Sequence, residues 1–226
     1  MSSKKKNTKL TLVTNFSRFF LPGDYKVERK GAINRRVKRA IFLDLDGTLW
    51  PDLGPGSIVR NPVIDKDVLL KLLELSNAGY LLIGITNQTF FGYQTKLNPF
   101  SVFKYRYKMR QVVRDGILDL IYVCHHHPES RLSYLKTECS RRKPDSGLIQ
   151  WAKMDLSLEL DKSIVIGDRI TDMIAGQDSG IASRFLITNP RCLEWNISER
   201  TASISSIAFS VSRSLIDALD NIKGQI

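Results

Sequence analysis

Apolar and polar positions follow two rhythms along this chain, and the two rhythms take turns. Ala40 to Leu45 is a short apolar run ending in acids, the pattern of a buried strand. After the Asn61-Pro62 break, Val68, Leu69, Leu72, Leu73 and Leu75 recur at helical spacing, with Asp65 placed to cap the start and Gly79 to close the end. Tyr80 to Thr86 returns to the strand pattern. Ser101 to Asp115 predicts a helix closed by Gly116, and Leu118 to Val123 a third strand. Ser146 to Met154 is a short helix, Ser163 to Ile166 a fourth strand, Thr171 to Ser179 a helix before Gly180, and Arg184 to Ile187 a fifth strand. Val211 to Ile222 predicts a closing helix. Continuous apolar strands alternating with helices predict an α/β fold: a doubly wound parallel sheet with helices on both faces.

Composition narrows this little. A chain of 226 residues, 42% of them hydrophobic, suits one α/β domain. No apolar run approaches the roughly 20 residues that span a bilayer, and no signal-peptide pattern is evident. Three scattered cysteines, Cys124, Cys139 and Cys192, do not make a disulfide framework, so a reducing, cytoplasmic setting is expected. The charge of +11 changes the picture more. Residues 1–40 hold 12 Lys or Arg against 2 acids, leaving only +1 for the rest. The expected organisation is a basic leader, residues 1–39, and a domain over 40–226. Such a leader is a solvated tail, a contact for a phosphate-rich partner, or a targeting segment.

Ligands of doubly wound sheets sit beyond the carboxyl ends of the strands, and there the suggestive residues fall. Asp44-Leu45-Asp46-Gly47-Thr48 follows the first strand, Thr86-Asn87-Gln88 the second, Cys124 to Pro128 the third and Gly167 to Asp172 the fourth. A carboxylate can attack phosphorus and form an acyl phosphate. A second one can protonate the leaving oxygen and later activate water. Asp168 and Asp172 add acids that would repel the first pair unless a cation lay among them, and all-oxygen ligands suit Mg²⁺. Thr86 and Asn87 offer neutral donors for phosphate oxygens, Lys143 a point charge, and Arg142 a planar fork for a second anionic group. Trp50 stands where it could stack on a substrate ring or pack in the core.

These segments together resemble the four motifs of the haloacid dehalogenase superfamily, over about residues 40–188. The resemblance implies a Rossmann-like fold and magnesium-dependent phosphomonoester hydrolysis through an aspartyl phosphate. By it, Asp44 in "DLDGT" is the nucleophile, Asp46 the acid/base, Thr86 in "GITNQ" the second-motif hydroxyl and Lys143 in "RRKPDSG" the third-motif lysine. Thr48, Asn87 and Arg142 bind substrate. Mg²⁺ touches Asp44, the main-chain carbonyl of Asp46, and Asp168 in "GDRITD", with Asp172 in support. No insertion between the motifs is large enough for a cap domain.

"CHHHPES" and "ECSRRKP" resemble the zinc loop of the heptose bisphosphate and histidinol phosphatases, with Cys124, His126 and Cys139 on three ligand positions. Arg141 occupies the fourth, where it cannot ligate zinc. The expectation is a weak or degenerate Zn²⁺ site, unless a group such as His125 or His127 completes it. After "TNQ" the chain runs Thr89-Phe90-Phe91-Gly92-Tyr93-Gln94, bulkier than those families have. The resemblance implies a small phosphorylated substrate, a sugar bisphosphate or related metabolite. A nucleic-acid 3′-end phosphatase is the alternative, since polynucleotide phosphatase domains share three of the motifs. A non-catalytic binding protein of the same fold is the third.

Overall fold

A computed structural model describes residues 24–28, 33, 36–52, 64–96, 98–188 and 207–224. Seven strands form one sheet: β1 (Tyr25–Glu28), β2 (Ala40–Leu43), β3 (Leu81–Asn87), β4 (Leu120–Cys124), β5 (Ile164–Gly167), β6 (Ser183–Ile187) and β7 (Ser210–Ser212), in spatial order β1-β4-β3-β2-β5-β6-β7. Every neighbouring pair is parallel except β1 and β4. The α-helices among the described residues are α1 (Lys66–Asn77), α2 (Pro99–Arg114), α3 (Gly147–Leu156), α4 (Ile170–Asp178) and α5 (Leu215–Lys223).

The two faces explain why the strands are apolar at nearly every position. Ile41 and Leu43 of β2 join one core with Ile121 and Val123 of β4, beneath α1, α2 and α5. Their strand neighbours Ala40, Phe42, Leu120 and Tyr122 point the other way, into a second core under α3 and α4. A strand buried on both sides has no polar phase, because successive side chains face opposite layers. Residues such as Leu72 of α1, 1% exposed, anchor the helices. Cutting one to Ala costs about 2–5 kcal/mol. Among the described residues no helix is long and apolar enough to cross a membrane.

Two expectations are corrected here. Residues 1–39 are not all outside the sheet: Tyr25–Glu28 pairs antiparallel with β4 at the sheet edge, Tyr25 opposite Val123 and Glu28 opposite Leu120. Lys26 adds an ion pair to Asp155 at 2.7 Å, and the Tyr122 hydroxyl donates to the same carboxylate. The leader's first basic cluster, Lys4 to Lys9, lies outside the described residues, as does the Asn61-Pro62 break. The closing helix also starts later than Val211. That residue belongs to β7, which pairs with β6, and the Ser214 hydroxyl then accepts from the Asp217 amide to start α5.

Candidate active site

Strand β2 occupies the middle of the sheet. From it the chain winds to β3 and β4 on one side, then returns to β5 and β6 on the other. The two crossovers diverge at its carboxyl end, which opens a crevice there, and Asp44 is the next residue. Its amide donates to the Ile166 carbonyl at 3.0 Å, tying the loop to β5. The Leu45 carbonyl then accepts from the amides of Leu49 and Trp50 at 2.9 and 3.2 Å, so the chain turns tightly. Gly47 sits at φ +93°, and a Cβ there would lie 2.0 Å from Asp168 Oδ2. Its lack of a side chain is what admits the Asp168 carboxylate to the loop.

Asp44, Asp168 and Asp172 come together with one carboxylate oxygen each, all within 4.8 Å of one another, and all three are buried. Lys143 reaches them from the loop before α3. Its Nζ lies 2.6 Å from Asp44 Oδ1 and 2.5 Å from Asp172 Oδ1, and donates to the Ile85 carbonyl at 3.0 Å. Burial alone would lower the Lys143 pKa, but the Asp172 and Asp44 charges outweigh it and hold the ammonium protonated well above its usual range. Three buried carboxylates against one buried ammonium leave a deficit of positive charge there. A divalent cation on oxygen ligands matches both that deficit and the donor set.

Asp46 turns elsewhere. Trp50 Nε1 donates to its Oδ1 at 2.8 Å, and Gln88 Nε2 donates to its Oδ2. Burial pushes the Asp46 pKa up, and the nearby Asp44 charge adds to this, against the hydrogen bonds from Trp50 and Gln88. Its side chain is not part of the carboxylate cluster. Gln88 also donates to Thr86 Oγ1 at 2.8 Å, so the Thr86 hydroxyl keeps its own proton for a ligand. Thr48 Oγ1 is buried without a hydrogen-bond partner among the described residues.

Asn87 does something other than expected. Its amide nitrogen donates to the Lys143 carbonyl at 2.8 Å, and its oxygen accepts from the Lys143 amide at 3.1 Å. A side chain engaged on both ends with the main chain of one residue positions Lys143 instead of gripping a phosphate. Arg142 is half-buried, donates to the His126 carbonyl at 3.2 Å, and makes no ion pair among the described residues. The neighbouring cation Arg169 opposes its charge. Arg169 itself is held protonated by Asp168, Asp44 and Asp172 against its own burial.

Sequence reasoning missed Gln88 and Arg169 as members of this site, although both stand inside quoted motifs. Of the two readings of Trp50, packing holds: it lies in the core, and its indole also donates to Asp46. Cys124, His126 and Cys139 form a second group, joined by Asp24. His125 and His127 are not in it. His125 Nδ1 bonds the Gln88 carbonyl at 2.8 Å, and His127 Nδ1 accepts from the Glu129 amide.

Known proteins resemble this chain in sequence and in fold. A family model described as HAD-hydrolase-like matches residues 140–189. The D-glycero-beta-D-manno-heptose-1,7-bisphosphate 7-phosphatase of Haemophilus influenzae is 34% identical over 153 residues, 67% of this chain and 82% of that protein. Its Salmonella typhi counterpart is 30% identical over 188 residues, 82% of this chain and 96% of that protein. Among solved structures, a HAD-like phosphatase of Mesorhizobium loti superposes with a TM-score of 0.68 at 22% identity, covering 89% of this chain and 95% of that one. The D,D-heptose 1,7-bisphosphate phosphatase of B. bronchiseptica, complexed with magnesium and phosphate, superposes with a TM-score of 0.62 at 20% identity, covering 83% of this chain and 99% of that one. With the DLDGT loop at the switch point and the heptose bisphosphate phosphatases as its relatives, this chain belongs to the haloacid dehalogenase superfamily.

Proposed function

We propose that this protein is a magnesium-dependent phosphatase that hydrolyses a phosphomonoester of a small sugar bisphosphate. The observation that carries the reading is the buried Asp44–Lys143–Asp172 contact with Asp168 alongside, a group short of positive charge. Asp44, Asp168 and the Asp46 main chain would hold Mg²⁺, with Asp172 in support. The ion would offset charge on the phosphoryl oxygens and orient them.

The chain's own groups do the rest. Asp44 attacks phosphorus, and the bond to the leaving oxygen breaks as the aspartyl phosphate forms. Asp46, kept protonated more readily by burial, gives its proton to that oxygen, then takes one from the water that releases phosphate. Trp50 and Gln88 fix its direction. Thr86 donates to a phosphoryl oxygen and Lys143 supplies fixed positive charge. Arg142, without a carboxylate of its own, suits the second phosphate of a bisphosphate. The relatives' names support a sugar at that position. Zn²⁺ at the Cys124 group would be structural, since that group shares no residue with the carboxylates. Thiol ligands need a reducing compartment, which favours the cytoplasm.

Phosphate release from heptose 1,7-bisphosphate, other sugar bisphosphates and a 3′-phosphorylated oligonucleotide tests the reading. A sugar bisphosphate should be the best substrate and should require Mg²⁺. Preference for the oligonucleotide would move the assignment to nucleic-acid ends, and no release from any would sink it.

A further inference from the structure

The antiparallel pairing of β1 with β4 has a chemical result at its open end. Tyr25 faces Val123, so one further step sets Asp24 across from Cys124, the last residue of β4. His126 lies two residues on, and Cys139 returns on the loop before Lys143. The four side chains converge. Cys124 Sγ is 3.8 Å from Cys139 Sγ and 3.9 Å from His126 Nδ1. Asp24 Oδ2 is 3.4 Å from Cys139 Sγ, and Asp24 Oδ1 is 2.9 Å from His126 Nδ1. All four ligand atoms lie within 4.8 Å of one another.

Those spacings can be set against metal geometry. Tetrahedral zinc with Zn–S bonds of about 2.3 Å and Zn–N bonds of about 2.0 Å sets two sulfurs about 3.8 Å apart, and sulfur and nitrogen about 3.5 Å apart. Two thiolates, an imidazole and a carboxylate are zinc ligands, whereas Mg²⁺ and Ca²⁺ take oxygen. The Asp24 side chain is only 5% exposed, an expensive place for a carboxylate without strong partners.

Arg141 then acquires a use. Its Nη1 lies 3.3 Å from Asp24 Oδ2, and its guanidinium rests over the Trp151 ring at 4.6 Å. Two thiolates, one carboxylate, one neutral imidazole and Zn²⁺ sum to −1, and Arg141 brings the group to zero. A cation that orients a ligating carboxylate belongs to the outer shell of a metal site.

We propose that Asp24, Cys124, His126 and Cys139 form a closed zinc site, in which a carboxylate from the N-terminal segment takes the place of a missing thiolate and clamps β1 to the sheet. The thiolate expected at position 141 has become an arginine, and the ligand role has moved more than a hundred residues back along the chain. It differs from the expectation of a weak three-ligand site by adding Asp24 as the fourth ligand. It does not depend on the phosphatase reading.

The test is zinc affinity of the full chain by competition with a chromophoric chelator, supported by visible spectra of the Co²⁺-loaded protein. Wild type should hold one zinc per chain through dialysis and give the intense absorption of tetrahedral Co²⁺. Asp24→Ala should lose at least ~100-fold in affinity and lose that spectrum. Asp24→Cys should restore both to near wild type. Hydrogen exchange of the Tyr25–Glu28 amides should slow with zinc in wild type but not in Asp24→Ala. Should Asp24→Ala fail to fold, Asp24→Asn carries the same comparison with the shape retained. Wild type without stoichiometric zinc after reconstitution, or equal affinity in wild type and in Asp24→Ala or Asp24→Asn, would overturn the proposal.

Discussion

The described residues hold two clusters of ligand-type side chains, and they are built differently. The carboxylate cluster draws on the ends of β2 and β5, two parallel strands in the middle of the sheet, with Lys143 held by Asn87 from β3. Its geometry follows once those strands pair, because no member depends on the sheet's margin. The Cys124 group draws on β4 and on a residue just before β1, the one antiparallel strand, at the edge. A site in the middle is imposed by the fold. A site at the edge exists only while the edge strand is docked. The first should survive changes that abolish the second.

The two are still in touch. His125, between two members of the edge group, stacks on Tyr25 of β1 with ring centroids 5.7 Å apart and bonds the Gln88 carbonyl. Gln88 in turn holds Asp46. A route of packed groups therefore runs from β1 to the Asp46 carboxyl.

Asp44→Asn should have the largest effect on turnover, a loss of at least ~1,000-fold, because an amide of the same shape cannot attack phosphorus. Its circular dichroism and zinc content should stay those of wild type. Substantial residual Mg²⁺-dependent turnover would remove Asp44 from its assigned role. In Asp168→Ala, the Mg²⁺ concentration for half-maximal rate should rise at least ~10-fold, since a direct ligand is gone. An unchanged titration would count against that ligand.

Gln88→Leu should lower kcat by about 10- to 100-fold with little change in KM, because Asp46 and Thr86 lose the donor that orients both. Equal loss in kcat and gain in KM would make Gln88 a binding residue instead. Deleting residues 1–28 removes Asp24 and β1. It should abolish zinc retention and lower Tm by about 5–10 °C, a few kcal/mol for a chain of this size. Turnover should drop only several-fold, through the loosened His125 prop. A drop as deep as that of Asp44→Asn would mean that the edge is part of the catalytic centre. The smallest effect belongs to Lys26→Ala. Its partly exposed pair with Asp155 should be worth under about 1 kcal/mol, measurable by denaturant midpoint.

Most of the central site could be seen in the sequence because its members come in short local segments at strand ends. Asp44 with Asp46, and Asp168 with Asp172, announce themselves by spacing. The side-chain directions could not be seen: nothing in "DLDGT" says that Asp46 faces Trp50 and Gln88 while Asp44 faces Lys143. Asn87 looked like a phosphate donor because its main-chain partner lies 56 residues away. Asp24 was invisible for the same reason on a larger scale. It sits in a basic stretch, before a four-residue strand that alternates weakly, and its meaning comes from antiparallel pairing with a strand nearly a hundred residues on. Val211 was drawn into the closing helix because its apolar character fits α5's periodicity, and only pairing with β6 separates it.

The pairing of β1 also bears on solubility. Strand β4 is Leu120-Ile121-Tyr122-Val123-Cys124, five uncharged buried residues with three strong strand formers at the centre. Without β1 it would be the margin of the sheet, with unpaired amides and carbonyls open to another chain. Proteins guard such margins with charge, and Lys26 and Glu28 on β1 provide it here. Whatever releases the N-terminal strand, whether metal loss or a protease cut near Asp24, would therefore uncover a template for chain-to-chain strand addition, and stored protein stripped of metal should precipitate before it unfolds.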